Sequence, residues 1–264
     1  MTIKDKLMCE VVDRGVCVGC GACVSLDATG TSHMVQCADG PVPRFADATT
    51  LPESAIDACP GSGISYPRLY RDHYGNLPKD GLLVQIVQAR TGSASDPMVR
   101  SRSASGGVLT QVLIHLLESG MVDAVAAVRQ GAPTPREARV VLAHSKKGIL
   151  ECSQSVYIPV SVLDILKSFE PGRRYAMTCL PDQAAALRRL QCDGHPAARQ
   201  VAYVVGPYVG TQLMPAAIDC FLRSHRIAAS DDIVRLEWRA GDWPGYLEIE
   251  TAAGHILRSK KVYY

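Results

Sequence analysis

The chain of 264 residues is 47% hydrophobic and 20% charged, a balance that excludes a disordered or low-complexity protein and allows a real core. A formal net charge of +2 is too mild to point to nucleic acid or an anionic membrane surface. No apolar run reaches the roughly 18 residues that a membrane span needs, and the opening MTIKDKLMCE has no apolar stretch behind its charges, so no secretory leader is expected. The expected location is cytoplasmic, where ten cysteines bind metal or pack as small apolar side chains rather than form a disulfide framework.

Residues 1–75 read as a separate region, with six of the ten cysteines, several prolines and glycines, and no long helical period. Within it GVCVGCGACVSLD sets Cys17, Cys20 and Cys23 at a stride of three, and Gly19 and Gly21 let the backbone curl closely between them. Three sulfurs in one small volume, with backbone N–H groups aimed at them, is the ligand pattern of a 4Fe-4S cluster. Its fourth thiolate commonly comes from elsewhere in the chain and precedes a proline. DACPGSG offers Cys59 followed by Pro60; Cys37 is the competitor, nearer in sequence but without the proline. Zinc prefers two separated cysteine pairs and stands as the alternative metal, with purely structural cysteines as the third reading. Residues Ser65 to Gly81 read as a connecting arm with two prolines and two glycines.

Residues 76–264 alternate between strand and helix patterns, which predicts an α/β domain with a mixed or largely parallel sheet. LLVQIVQAR, from Leu82, reads as a strand. Residues 107–119 read as a helix whose buried face carries Leu109, Val112, Leu113, Leu116 and Leu117, with Gly120 as its stop. VDAVAAV and ARVVLAH follow as strands, and Val162, Leu163, Ile165, Leu166 and Phe169 suit a second helix. The strand RYAMTC, a helix over 182–191, the strand QVAYVVG and a helix from about Pro215 to Arg226 come next. The tail YLEIETAAGHILRSKKVYY alternates about Ala252-Ala253-Gly254 as a hairpin does, and a chain stopping in strand-like sequence suggests truncation at its C-terminus.

Three loops in this domain are candidates for binding. SRSASGGVLTQVL places Ser103, Ser105, Gly106 and Gly107 just before a helix, where free N–H groups suit a phosphate; the plain alternative is Ser105 as an N-cap. GPYVG, Gly206 to Gly210, follows a strand directly and is a ligand loop or an ordinary turn. WRAGDWPG, residues 238–245, is a buried corner or the rim of a flat aromatic ligand.

Taken in order, CVGCGAC, ACPG, SASGGVLTQVLIHLLESGMVDAV, CSQSVY, CLPDQAAALRRL, VVGPYVG and WRAGDWPG resemble the beta subunit family of coenzyme F420 hydrogenases and dehydrogenases, whose relatives include ferredoxin-dependent reductases of chlorophyll intermediates. The resemblance implies an α/β flavin-binding domain with a small ferredoxin-like iron–sulfur region at the N-terminus. It implies two cofactors, FAD and a 4Fe-4S cluster held by Cys17, Cys20, Cys23 and Cys59. FAD would sit against Ser105, Gly106 and Gly107, with Arg102 and Ser103 beside them and Pro181, Gln183, Gly206 and Gly210 lining the same crevice. Two departures stand out. The family usually reads Pro-Cys-Gln where this chain has Pro181, Asp182 and Gln183, and it often carries a cysteine where Val209 stands. The absent thiols count against an additional cluster in the second domain. Asp182 reads as a carboxylate favoured at a helix N-terminus and His115 as an ordinary helix residue.

The implied function is an oxidoreductase subunit that moves electrons between coenzyme F420, or a similar small two-electron partner, and ferredoxin or another redox subunit, with no nucleic acid and no membrane span. The alternatives are a non-catalytic electron-transfer module that docks a partner enzyme, and a ferredoxin-dependent reductase of another small substrate.

Overall fold

The computed structural model describes residues 1–81, 85–228 and 232–260. At its centre is a four-stranded sheet in the order β4-β3-β5-β6, from β3 (Ala124–Gln130), β4 (Ala138–Ala143), β5 (Tyr175–Thr178) and β6 (Val201–Val205). Strands β3, β5 and β6 are parallel and β4 pairs antiparallel with β3, so the sheet is mixed. The central strands β3 and β5 are short and largely buried, as strands covered on both faces must be, whereas the edge strands β4 and β6 are partly exposed.

The period-2 alternation of side chains divides two layers between these strands. Val125, Ala127 and Ala176 face a core with Leu113, Ile114 and Leu116 of α6 (Val108–Glu118) and Ile149 and Leu150 of α7 (Lys146–Glu151). Ala124, Ala126, Tyr175 and Met177 face the opposite core, built on Ala186, Leu187 and Leu190 of α8 (Pro181–Cys192) and on Leu163 and Leu166. Leu163, Leu187 and Leu190 are wholly buried, each contributing about 1.5–3 kcal/mol by removal from water. Alanine at four of these sheet positions lets the helices lie close.

The helix expected over residues 162–169 is a 3-10 helix, Val162–Ser168. Leu163, Leu166 and Phe169 recur at a stride of three, and a 3-10 turn stacks i and i+3 on one line, so this geometry buries all three. On α6 the buried face is turned relative to expectation: Ile114 is 1% exposed and Val112 is 39% exposed. Of LLVQIVQAR, residues 82–84 lie outside the described residues, and 85–90 form no strand. Val87 there is 95% exposed; apolar character without a partner edge does not make a ladder.

A second sheet is the antiparallel meander β7 (Ile233–Ala240), β8 (Tyr246–Thr251) and β9 (Ile256–Lys260), whose last two strands form the expected hairpin. Its inner face packs Ile233, Leu236, Trp238 and Ile249 on Ile218 and Leu222 of α10 (Ala216–Ser224), with Pro215 as the helix N-cap.

The N-terminal layer is built of short pieces. α1 (Ile3–Leu7) continues into a π-helical turn, Met8–Val12, and α2 (Ala22–Ser25), the hairpin β1 (His33–Cys37) and β2 (Gly40–Arg44), and α3 (Ser54–Asp57) follow. Leu7, Val11, Leu51 and Ala55 form its small core. The expected connecting arm opens with a helix, α4 (Tyr66–Tyr74), capped by the Ser65 hydroxyl and stopped by Gly75 at φ +76°; Pro67 lies in its first turn, where the ring is tolerated. Arg189 of α8 fastens this layer to the sandwich. Its guanidinium, 9% exposed, meets Asp193 at 2.7 Å, Asp72 of α4 at 3.0 Å and Asp57 of α3 at 3.8 Å.

Just after α2, the buried Asp27 carboxylate accepts the Thr29 hydroxyl at 2.7 Å, the Thr29 N–H at 3.0 Å and the Ser32 N–H at 2.8 Å. Burial alone would raise this carboxyl; the bonds from Ser32 and Thr29 outweigh it and hold it well below the usual carboxylate range. A group depressed in the folded state stabilises above its unfolded pKa of about 3.9 and loses that contribution as pH falls further. Asp27→Asn is therefore expected to cost about 1–3 kcal/mol near neutral pH and to remove an acid-dependent loss of stability that sets in below about pH 4; parallel acid titrations of the unfolding midpoint read the difference. In denaturant unfolding, Leu190→Ala is expected to cost about 2–5 kcal/mol, whereas Val112→Ala stays within about 0.5 kcal/mol.

Candidate redox site

Two regions gather the chemistry-bearing residues. In the first, the loop from Gly15 to Cys23 winds back on itself through Gly19 at φ +65° and Gly21 at φ +86°. A Cβ on Gly19 would stand 2.8 Å from the Pro41 carbonyl oxygen, and one on Gly21 would stand 2.8 Å from the Asp164 nitrogen, so neither position admits a side chain. Gly61 is equally closed, with a Cβ only 2.5 Å from the Val16 carbonyl oxygen. These close approaches bring the Cys59-Pro60 turn against the loop.

The four thiols named in the sequence lie within electrostatic reach of one another. The charges on Cys17, Cys23 and Cys59 all bear on Cys20, and Cys17 and Cys59 both bear on Cys23. Burial raises every one of them: Cys20 well above its ordinary value, Cys23 to about 12, and Cys17 and Cys59 less far. Backbone N–H groups oppose the rise, from Gly19 at Cys17, Ala22 at Cys20, Val24 at Cys23, and Gly61 and Ser62 at Cys59. A pocket in which thiols are hard to ionise, yet backbone N–H groups lie near each sulfur, suits thiolates gathered about a positively charged centre. Among the described residues no group of three or more His, Cys, Asp or Glu side chains is drawn together so as to hold a single metal ion. A four-iron cubane asks for something else: one thiolate on each iron, standing around the cluster rather than on one point. Four thiols are the donor types that such a group takes.

Cys37 sits elsewhere. It closes β1 and opens into a groove of about 410 Å³ with Gln36, Arg136 and Asp219. The site also has a dry and a wet side. Cys20 is buried in the core shared with Leu163, Leu187 and Cys179, while Cys17 is half-buried between Val16 and Val18, 47% and 37% exposed.

The second region is the carboxyl edge of the parallel strands. The N-termini of α6 and α8 and the residue after β6 all lie at this edge, because α6 runs down into β3, α8 leaves β5 and Gly206 follows Val205. The N-cap of α6 is Gly107, at φ +77°, not Ser105; a Cβ at Gly107 would meet the Ser103 hydroxyl at 2.7 Å. The turn before it is held from behind. The Ser103 hydroxyl donates to the Val99 carbonyl at 2.6 Å, Arg100 donates to the Ser105 carbonyl at 2.7 Å, and the Ala94 N–H donates to the Gly106 carbonyl at 2.7 Å. Arg102, the C-cap of the short α5 (Pro97–Ser101), is exposed. Pro181 opens α8 and is exposed, whereas Gln183 is buried with both polar atoms engaged: Oε1 accepts the Leu180 N–H at 2.9 Å and Nε2 donates to the Val160 carbonyl at 3.2 Å. Gly206 lies against the Cys179 carbonyl, and Gly210 stands in an exposed loop with Tyr208 and Val209. WRAGDWPG divides: Trp238 is buried, donating to the Gln130 side chain at 3.0 Å, and Trp243 is 72% exposed. What spacing did not show is Arg239, which reaches from this segment to the α6 turn.

Residues 89–167 match the family described as coenzyme F420 hydrogenase/dehydrogenase, beta subunit N-term, and residues 172–262 match its C terminus. Over 189 residues the chain is 28% identical to a coenzyme F420-dependent sulfite reductase of Methanocaldococcus jannaschii, an alignment covering 69% of this chain and 26% of that protein. The chain thus spans about a quarter of the length of that relative. A structure titled as a xenon derivatization of the F420-reducing NiFe hydrogenase complex from Methanosarcina barkeri overlaps with a TM-score of 0.49 at 18% identity, covering 63% of this chain and 57% of that one. With both halves of the model matched in order, the chain belongs to the coenzyme F420 hydrogenase/dehydrogenase beta subunit family.

Proposed function

We propose that the chain is a redox subunit that carries FAD and a 4Fe-4S cluster and exchanges electrons between coenzyme F420, or a similar small two-electron partner, and ferredoxin or another iron–sulfur subunit. The observation that supports this most directly is that Cys17, Cys20, Cys23 and Cys59 lie within electrostatic reach of one another, with backbone N–H groups nearby and Cys20 in the core beneath α8. Family membership supports the F420 side, and the sulfite reductase relative is named for dependence on coenzyme F420.

In this reading residues 1–75 are the ferredoxin-like iron–sulfur region and 76–264 the flavin domain. A bound flavin converts two-electron into one-electron chemistry, which is what a hydride donor and an iron–sulfur acceptor require between them. The chain's own residues have distinct tasks. The four cysteines hold the cluster, and Gly19, Gly21 and Gly61 allow the loops to close on it. The N–H groups of the Ser105-Gly106-Gly107 turn and the α6 N-terminus, assisted by Arg102, bind the phosphates of FAD, while Ser103 braces the turn through the Val99 carbonyl. Gln183 fixes the entry to α8 behind Pro181, and the Gly206–Gly210 loop closes the crevice from the β6 side.

The reading is tested by loading the anaerobic protein with iron, sulfide and FAD and adding reduced F420. Bleaching of the flavin absorption near 450 nm, followed by electron transfer to added ferredoxin, is the expected outcome. Flavin uptake with no bleaching by reduced F420 but ready reduction by ferredoxin favours a ferredoxin-dependent reductase, and cluster without flavin favours an electron-transfer module. Cys59→Ser is expected to lose most of the bound iron while Cys37→Ser keeps it; equal loss in the two variants would contradict the ligand assignment.

A further inference from the structure

Two segments 135 residues apart, Ser103–Gly107 and WRAGDWPG, are joined by one side chain. The Arg239 guanidinium donates through Nη2 to the Ala104 carbonyl at 2.8 Å and through Nη1 to the Tyr157 hydroxyl at 3.3 Å. Its backbone is itself held tightly: a Cβ on Gly245 would stand 3.1 Å from the Arg239 Cα, so the turn that follows β7 folds flat onto it. Trp238, the preceding residue, is pinned by Gln130 and by an edge-on contact with Tyr157 at 5.9 Å.

The consequence is geometric. Three successive carbonyls of the turn, those of Ala104, Ser105 and Gly106, each accept a bond from the protein behind them, from Arg239, Arg100 and Ala94. In a planar trans peptide the carbonyl of one residue and the N–H of the next point opposite ways. Each of these bonds fixes one peptide plane with the N–H of Ser105, Gly106 or Gly107 on its opposite edge, and among the described residues none of the three N–H groups is bonded to an acceptor. They run directly into the free amides at the N-terminus of the eleven-residue α6. Arg100 and Ala94 lie in the same local stretch as the turn. Arg239 is the tie that comes from a different sheet.

We propose that Arg239 is a positioning residue that locks the Ser103–Gly107 turn, through the Ala104 carbonyl, in the orientation that presents its amides to the phosphates of the cofactor. The inference rests on the flavin reading above for the identity of the ligand, but not for the lock itself. Arg239 needs no contact with the ligand. It acts by holding one peptide plane, and the neighbouring Tyr157 hydroxyl keeps the guanidinium from swinging away.

The test uses the full chain and two readouts. Hydrogen exchange of the cofactor-free protein follows the Ala94 amide, bonded to Gly106, and the Gln111 amide, bonded to Gly107. Arg239→Ala is expected to speed exchange at Ala94 about tenfold with β3 amides unchanged, and Arg239→Lys, which keeps one donor, to restore much of the protection. Fluorescence titration with FAD and with riboflavin, which lacks phosphate, gives the second readout. FAD affinity should fall about tenfold in Arg239→Ala and recover in Arg239→Lys, with riboflavin binding unaffected. Unchanged exchange at Ala94 would overturn the lock. Equal losses for FAD and riboflavin, or no rescue by lysine, would overturn the phosphate-presenting role. A wild-type chain that takes up neither flavin would overturn the flavin reading, and the exchange data would still decide the lock.

Discussion

One backbone hydrogen bond carries the joint on which the whole arrangement depends: the Leu163 N–H donates to the Cys20 carbonyl at 2.9 Å. Beside it Gly21 has no room for a side chain because the Asp164 backbone occupies that space. The cysteine loop is therefore seated directly on the 3-10 helix that floors one face of the α/β sandwich. Cys20 passes into the same apolar core as Leu187 and Leu190 of α8. Arg189, between Leu187 and Leu190 on α8, draws the layers together, where aspartates from α3, α4 and the C-cap of α8 surround a buried guanidinium. Removing one partner from such a cluster strands charge in a poorly solvated place, so it fixes geometry more than it adds stability.

The joint gives the cysteine site its asymmetry. On the core side, Cys20 lies away from water, where charge is costly and the local field of the sheet and α8 matters. On the outer side, Cys17 and Cys59 are half-buried, with Val16 and Val18 exposed alongside. In the proposed function the inner side faces the flavin domain and the outer side faces a redox partner. The carboxyl edge of the parallel strands supplies the complementary half: short strands of alanine and valine, two helix N-termini, and a glycine turn held from behind by Arg239.

Much of this was legible in the sequence because it depends on local periodicity. The strand–helix alternation predicts the mixed α/β sheet that the fold has, and the stride of three in Cys17, Cys20 and Cys23 with the proline after Cys59 names the four sulfurs on which the proposed cluster rests. What failed did so where tertiary context decides. Val162 to Phe169 carries an apolar pattern that both helical forms can use, and the three-residue stacking of Leu163, Leu166 and Phe169 selects the tighter one. Residues 85–90 read as part of a strand but pair with no strand among the described residues. Gln183 resembled a crevice residue and is a buried bridge between Leu180 and Val160. Arg239 gives no sequence signal at all, since its target lies 135 residues away.

Iron and acid-labile sulfide analysis of the anaerobically purified chain tests the central claim most directly. A cubane bound by these four thiols means about four iron atoms and four sulfides per chain. About one zinc per chain with no labile sulfide would contradict it, and with it the electron-relay account built on the cysteine loop.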